Sequence, residues 1–185
     1  MSKIAVVYFS GYGHTKKQAE AVAAGAGAEL IAVTAEGDLP EGAWETLAAA
    51  DAIIFGAPTY MGGVPWQFKK FADASSKVWF TQGWRDKVAA GFTNSASMNG
   101  DKQVTLQYLI TFALQHSMVW VGTGLMPSNS KAANRNDVNY VASFAGAMAQ
   151  SPSDSSPDEG LLPGDLETAR LFGRRVADYV GKTRA

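Results

Sequence analysis

Cysteine is absent from all 185 residues. Disulfides and thiol catalysis are therefore excluded, and a reducing compartment is compatible with the chain. Histidine occurs only twice, at His14 and His116. With two distant histidines and no thiols, a transition-metal site is not expected. An excess of either charge is missing too: 16 Lys and Arg oppose 17 Asp and Glu, a formal net charge of -1. Neither nucleic acid nor an anionic membrane is an expected partner of such a surface. No apolar run has the length of a membrane helix. The apolar start, Ile4 to Phe9, is too short for a secretory signal, and a glycine-rich loop follows where a cleavage site would be needed. It reads as a strand, and the protein as cytoplasmic. No Gly-x-Ser-x-Gly elbow supports a serine hydrolase. Asp154, Asp158 and Glu159 lack EF-hand spacing and read as a solvated acidic loop. The length itself fits one domain, residues 1–185, with a sizeable core.

What is present is a strand-loop-helix corner near the start. Strand formers from Ile4 to Phe9 stop at Ser10, and Ser10-Gly11-Tyr12-Gly13-His14-Thr15 leads into a helical pattern. Glycine permits a sharp turn and close approach of the backbone to a ligand. Ser10 and Thr15 offer hydroxyls, and the new helix offers free N–H groups and the positive end of its dipole. The corner suits an anionic phosphate. It is not a Walker A loop, since no Lys precedes Thr15. It is not a dinucleotide fingerprint either, since Lys16 stands where a third glycine is needed.

Along the chain, strand 1 covers Lys3 to Phe9 and helix 1 about Thr15 to Ala26, with Ala19, Val22, Ala23 and Ala26 inward. Strand 2 is Glu29 to Thr34, a short helix Trp44 to Ala50, and strand 3 Ala52 to Gly56. The loop Ala57 to Gly63 precedes a helix opened by Pro65, with Phe68, Phe71 and Ala72 inward. Trp79 to Arg85 reads as irregular. Strand 4 is Lys87 to Phe92, followed by the small polar loop Thr93 to Gly100. A helix from Asp101 to His116 carries Val104, Tyr108, Leu109 and Phe112 inward. Strand 5 is Met118 to Val121. Residues 122–163 read as mostly loop, with the Ser, Pro and Asp run Ser151 to Gly160 mobile. Asp165 is placed as the cap of a last helix, whose stripe is Ala169, Phe172, Gly173, Val176, Ala177 and Val180. Alternating strands and helices predict an α/β fold, a doubly wound five-stranded parallel sheet. In the flavodoxin-like order 2-1-3-4-5, loops after strands 1, 3 and 4 converge at the switch point, where ligands bind.

These stretches resemble flavodoxin-like proteins, above all the WrbA-type NAD(P)H:quinone oxidoreductases and their NADPH-dependent FMN reductase relatives. The resemblance rests on Ser10 to Thr15, Ile53-Ile54-Phe55-Gly56-Ala57-Pro58-Thr59-Tyr60, the Thr93 to Gly100 loop, Met118 to Gly122 and the last helix. It implies FMN as cofactor. Its phosphate would lie on Ser10, Gly11, Tyr12, Gly13, His14 and Thr15. The flavin ring would be flanked by Pro58, Thr59, Tyr60, Met61 and Gly62. The ribityl chain and pyrimidine edge would meet Asn94, Ser95, Ala96, Ser97, Met98, Asn99 and Gly100. The implied activity is two-electron transfer from NADH or NADPH to a quinone-like acceptor, the flavin supplying the redox chemistry. Backbone N–H groups of the third loop would stabilise the reduced flavin. No acid–base residue is obligatory. A flavodoxin-type electron carrier without pyridine-nucleotide activity is the alternative, and the near-neutral charge counts against it.

Trp79 and His116 match family positions that border the flavin. Each ends a helix that began on the ligand side of the sheet, so each is expected at the far end of its own subunit. The resemblance thus implies a homo-oligomer, dimer or tetramer, in which they reach a neighbour's flavin. The plainer readings are ordinary packing for Trp79 and a helix-end histidine for His116. Tyr60 is a ring-stacking residue or a surface aromatic. His14 touches the ligand or merely starts a helix. Trp44, Trp66, Trp84 and Trp120 read as structural. Tyr60-Met61-Gly62-Gly63 replaces the Arg-Phe-Gly-Asn usual in that family, which removes a positive charge near the ring.

Overall fold

The computed structural model describes residues 2–183. Chain order is β1 (Ile4–Tyr8), α1 (His14–Ala26), β2 (Glu29–Ala32), α2 (Ala43–Ala49), β3 (Ala52–Pro58), α3 (Trp66–Ala74), α4 (Ser76–Phe80), β4 (Val88–Ser95), α5 (Lys102–Gln115), β5 (Val119–Trp120), β6 (Ala147–Gln150), α6 (Pro157–Gly160) and α7 (Pro163–Thr183). All strand pairs are parallel, as the alternating pattern predicted, and the order is the expected flavodoxin-like β2-β1-β3-β4-β5, with β6 also on β4.

The central strands are continuous apolar runs because both faces are covered. Alternate residues feed two cores. Ala5, Val7, Phe9, Ile53 and Phe55 face α2, α3 and α5, packing with Leu47, Phe68, Phe71, Trp84, Leu109 and Phe112. Ile4, Val6, Tyr8 and Ile54 face α1 and α7, packing with Val22, Ala23, Phe172 and Val176. The first core is aromatic: Phe55 meets Phe112 edge-on at 5.1 Å, and Trp84 meets Phe112 at 6.3 Å. Such pairs add about 0.5–1.5 kcal/mol each beyond their burial.

The sheet edge is the main departure from expectation. β5 pairs only with Val88 and Ala89, while β6 pairs with Phe92 to Ser95 of the same strand. The two short strands occupy one position in the sheet, and residues 121–146 are an excursion inserted between them. Its ends are tied together: Thr123 N–H donates to Phe144 O at 3.0 Å, and Trp120 Nε1 to Ala145 O at 2.7 Å. β6 escapes the sequence reading because four residues, Ala-Met-Ala-Gln, carry little strand propensity.

Smaller corrections follow the same logic. β3 and β4 run to Pro58 and Ser95, beyond the expected Gly56 and Phe92, because each continues to pair with its neighbour. Trp79 lies on α4 rather than in irregular chain. Val104 is exposed, not inward. Ser151 to Gly160 includes α6 and packs on α1, so it is an ordered wall and not a free loop. Asp165 does not cap α7, which starts at Pro163. It is buried inside the first turn and gripped by Arg135.

Candidate functional site

The carboxyl ends of β1, β3, β4 and β6 surround a cavity of about 550 Å³, a size ordinary for a small-molecule site. Ser10, Tyr12, His14 and Thr15 line it from the first corner, Pro58, Thr59 and Tyr60 from the second, and Asn94, Ser95 and Ala96 from the third. Ser151, Ser153 and Ser155 form a fourth wall.

In the first corner Ser10 Oγ accepts from the N–H groups of Gly13 and Lys16, both at 3.1 Å. Gly13, at φ +91, turns the chain into α1; a Cβ there would stand 2.6 Å from Pro157 Cγ. Only glycine takes this conformation without strain. The turn leaves the first N–H groups of α1 at the cavity with the helix dipole behind them. The Thr15 hydroxyl lines the cavity and bonds to no group among the described residues. His14 faces the cavity and donates Nε2–H to Ser155 O at 3.1 Å.

In the second corner Tyr60 and Gly63 exchange backbone hydrogen bonds of 2.9 and 3.1 Å. Met61 (φ 48) and Gly62 (φ 78) form the tight turn between them. Both sit at its tip, outside the cavity lining. Tyr60 leans back over the first corner, edge-on to Tyr12 at 6.0 Å. Burial, reinforced by Tyr12, raises the Tyr60 pKa. Thr59 Oγ1 lies 2.9 Å from Thr93 Oγ1 and 2.7 Å from Thr105 Oγ1, and Thr59 N–H donates to Asn94 O at 2.8 Å. The second and third corners are thereby locked together.

The third corner holds a buried acceptor. Asn94 is 4% exposed; its Nδ2 donates to Ser151 Oγ at 2.7 Å and its Oδ1 has no partner. An orphaned buried amide oxygen costs about 1–3 kcal/mol unless a ligand N–H fills it. Ser97, Met98, Asn99 and Gly100 form the turn behind this wall and do not line the cavity.

Two groups that sequence reasoning missed build this side. Lys102, 0% exposed, donates to Ser95 Oγ (2.8 Å), Ser97 O (2.9 Å) and Met98 O (2.7 Å). The second group is the serine wall. Ser151 N–H donates to Ser95 O at 3.1 Å, Gln150 Nε2 to Ala96 O at 2.7 Å, and Gln150 N–H to Asp165 at 2.9 Å. Asp165 in turn takes a two-point bond from Arg135 of the excursion. The signal was available: β6 ends in a hydroxyl-rich run, as β1 and β4 do.

Trp79 and His116 are not brought to this cavity. His116 is 2% exposed, with its ring 4.4 Å from Trp84 and 5.1 Å from Phe112. Its Nε2 lies 2.9 Å from Ser75 Oγ, whose own proton goes to Ala72 O at 2.6 Å, so Nε2 is the donor. Within its own chain His116 is thus a packed helix-end histidine, the plainer of its two readings. Trp79 is 44% exposed and remains accessible. Trp66 is more exposed than a structural role requires, whereas Trp84 is fully buried.

A parallel sheet of this order, with a hydroxyl-walled cavity at its switch point, defines a flavodoxin-like FMN-binding protein. The sequence pattern of the NADPH-dependent FMN reductase family matches residues 31–132, more than half of the chain. Flavodoxin FldP of Pseudomonas aeruginosa (strain UCBPP-PA14) is 56% identical over 177 residues, 96% of either chain. An NAD(P)H dehydrogenase (quinone) of Methylocella silvestris is 35% identical over 205 aligned positions, 100% of both chains. The crystal structure of a flavodoxin, WrbA-like protein from Agrobacterium tumefaciens superposes with a TM-score of 0.80, at 53% identity, over 98% of this chain and 99% of that one. The protein belongs to the NADPH-dependent FMN reductase family of flavodoxin-like proteins.

The residues present fit FMN. The α1 N-terminus, Ser10 and Thr15 suit a phosphate, and the unpaired Asn94 Oδ1 suits an imide N–H. Among the described residues no Lys or Arg lines the cavity. Phosphate charge would be met there by N–H groups and hydroxyls, not by a full cation.

Proposed function

We propose that the protein is an FMN-dependent oxidoreductase that moves two electrons from NADH or NADPH to a small quinone-like acceptor. The flavin supplies the redox chemistry. The protein's part is to grip the phosphate at α1, hold the ring edge at Asn94 and keep one ring face open. The observation that carries this reading is the rim. Tyr12 is exposed beside the cavity, with exposed Met61 and Met98 on the neighbouring turns. An apolar, accessible rim suits the alternate stacking of a nicotinamide and a flat acceptor. Relatives named NAD(P)H dehydrogenase (quinone), at 31–35% identity, support it.

A second reading, an FMN electron carrier without pyridine-nucleotide activity, is favoured by the relative named Flavodoxin FldP. Against it stands the net charge of -1, since carriers of this kind dock through strong charge complementarity. Assembly belongs to the same proposal: Trp79 and Phe80 expose a pair of aromatics on α4, and we place them in a homo-oligomer interface. A cytoplasmic setting goes with the reduced nucleotides the reaction consumes.

Anaerobic mixing of the FMN-loaded protein with NADH or NADPH, followed by flavin absorbance, tests the reading. Rapid bleaching, then recovery on adding benzoquinone, supports the enzyme. Slow bleaching with both nucleotides supports the carrier. Sedimentation as a monomer at micromolar concentration removes the interface.

A further inference from the structure

The Lys102 ammonium is a full charge with no carboxylate in contact among the described residues. Its three partners are neutral oxygens, Ser95 Oγ, Ser97 O and Met98 O. Burying a charge this way is costly. A loop needing only to be stapled could be held by a neutral donor. Ser95 is both a partner of Nζ and a residue of the cavity wall. The charge therefore lies one side chain behind the surface that Asn94, Ser95 and Ala96 present.

From this placement, and resting on the FMN reading of the cavity, we infer that Lys102 is a positioning residue that sets the redox poise of the bound flavin. It fixes the Ser95 to Met98 turn and favours the reduced, anionic flavin over the oxidised one. Two-electron reduction of FMN takes up two electrons and, near neutral pH, one proton, leaving one additional negative charge on the ring. A fixed buried cation stabilises that form more than the neutral oxidised ring. Burial holds the Lys102 pKa down to about 8, with Asp165 acting to raise it and Arg135 to lower it. The poise is thus expected to weaken where Lys102 loses its proton.

The test compares wild type with Lys102→Met, measuring the Kd of oxidised FMN by fluorescence quenching and the midpoint potential by anaerobic dye equilibration at pH 7. Reduced FMN is expected to lose about tenfold more affinity than oxidised FMN, a drop of about 30 mV for a two-electron couple. Equal loss for both forms, with the potential unchanged, would overturn the inference and leave Lys102 as a staple. If Lys102→Met does not fold, Lys102→Gln decides, since it keeps a neutral donor for the turn without the charge: an unchanged potential in it refutes the inference while leaving the FMN reading intact. A wild-type protein that binds no FMN overturns both.

Discussion

Asn94 Nδ2 donates to Ser151 Oγ at 2.7 Å across 57 residues of sequence, joining the end of β4 to the segment after β6. The same amide keeps its oxygen buried and unpaired. The bond orients Asn94, and the unpaired oxygen gives the side chain something to offer a ligand. Asn94→Ala is therefore expected to weaken FMN binding by about tenfold or more, from one lost hydrogen bond of about 1–2 kcal/mol. Apo stability should change less, because removing Asn94 also removes the orphaned acceptor. Fluorescence titration with FMN beside urea unfolding separates the two effects. A larger loss in stability than in affinity would mean that Asn94 is only structural.

Gly11 tests the contact between the first two corners. A Cβ there would lie 2.6 Å from the Tyr60 hydroxyl. Gly11→Ala is expected to push Tyr60 off the first loop and weaken FMN binding several-fold. The obstacle is one oxygen at the end of a side chain, so Gly11→Ala with Tyr60→Phe should regain most of the lost affinity. No regain in the double variant would place the cost in the loop backbone instead.

The acid limb of stability has a named contributor. Burial holds His116 neutral, with its pKa lowered from 6.5 to about 4. Between those values the unfolded chain binds the proton and the folded one does not, so stability falls as pH drops from about 6.5 towards 4. At most this single site contributes on the order of 1–3 kcal/mol. His116→Gln keeps a donor for Ser75 and cannot titrate, so it should flatten that limb. Urea midpoints at pH 7, 5.5 and 4.5 for both proteins measure it. An unchanged slope would assign the acid sensitivity to carboxylates.

Much of this was legible in the sequence, for definite reasons. Strands covered on both faces are written as unbroken apolar runs, and Ile4 to Tyr8 and Ala52 to Ala57 are such runs. Alternation with helices gives a parallel doubly wound sheet, and in the flavodoxin-like order its switch point lies between β1 and β3. Hydroxyl and glycine loops after β1, β3 and β4 therefore mark the cavity in the sequence itself. What failed depends on how the chain folds back on itself, near or far in sequence. Lys102 looks like an ordinary helix-start lysine, and only the turn folded back onto it makes it a buried charge. His116 looks like a helix-end histidine, and only Trp84 and Ser75, brought from elsewhere in the chain, enclose it. β6 is a strand only because β4 extends far enough to receive it.

The excursion between β5 and β6 bears on the site through one ion pair. Arg135 grips Asp165, which is 2% exposed, and Asp165 also accepts the Gln150 N–H at the end of β6. Removing the cation leaves a buried carboxylate with only that N–H, a loss of about 3–5 kcal/mol for pairs of this kind. Arg135→Met is thus expected to lower stability by roughly that amount and to loosen the Ser151 to Ser155 wall. Asp165→Asn keeps an acceptor for Gln150 without the stranded charge and should cost less. The exposed Lys17–Asp158 pair, 2.6 Å apart on the same wall, offers the contrast: Asp158→Asn should leave stability nearly unchanged, because solvent screens a surface pair. Hydrogen exchange of residues 147–155 in the three variants reads the wall directly. Faster exchange in Arg135→Met alone is the expected pattern. Equal exchange in all three would show that the wall is held from β4 and α1, without the excursion.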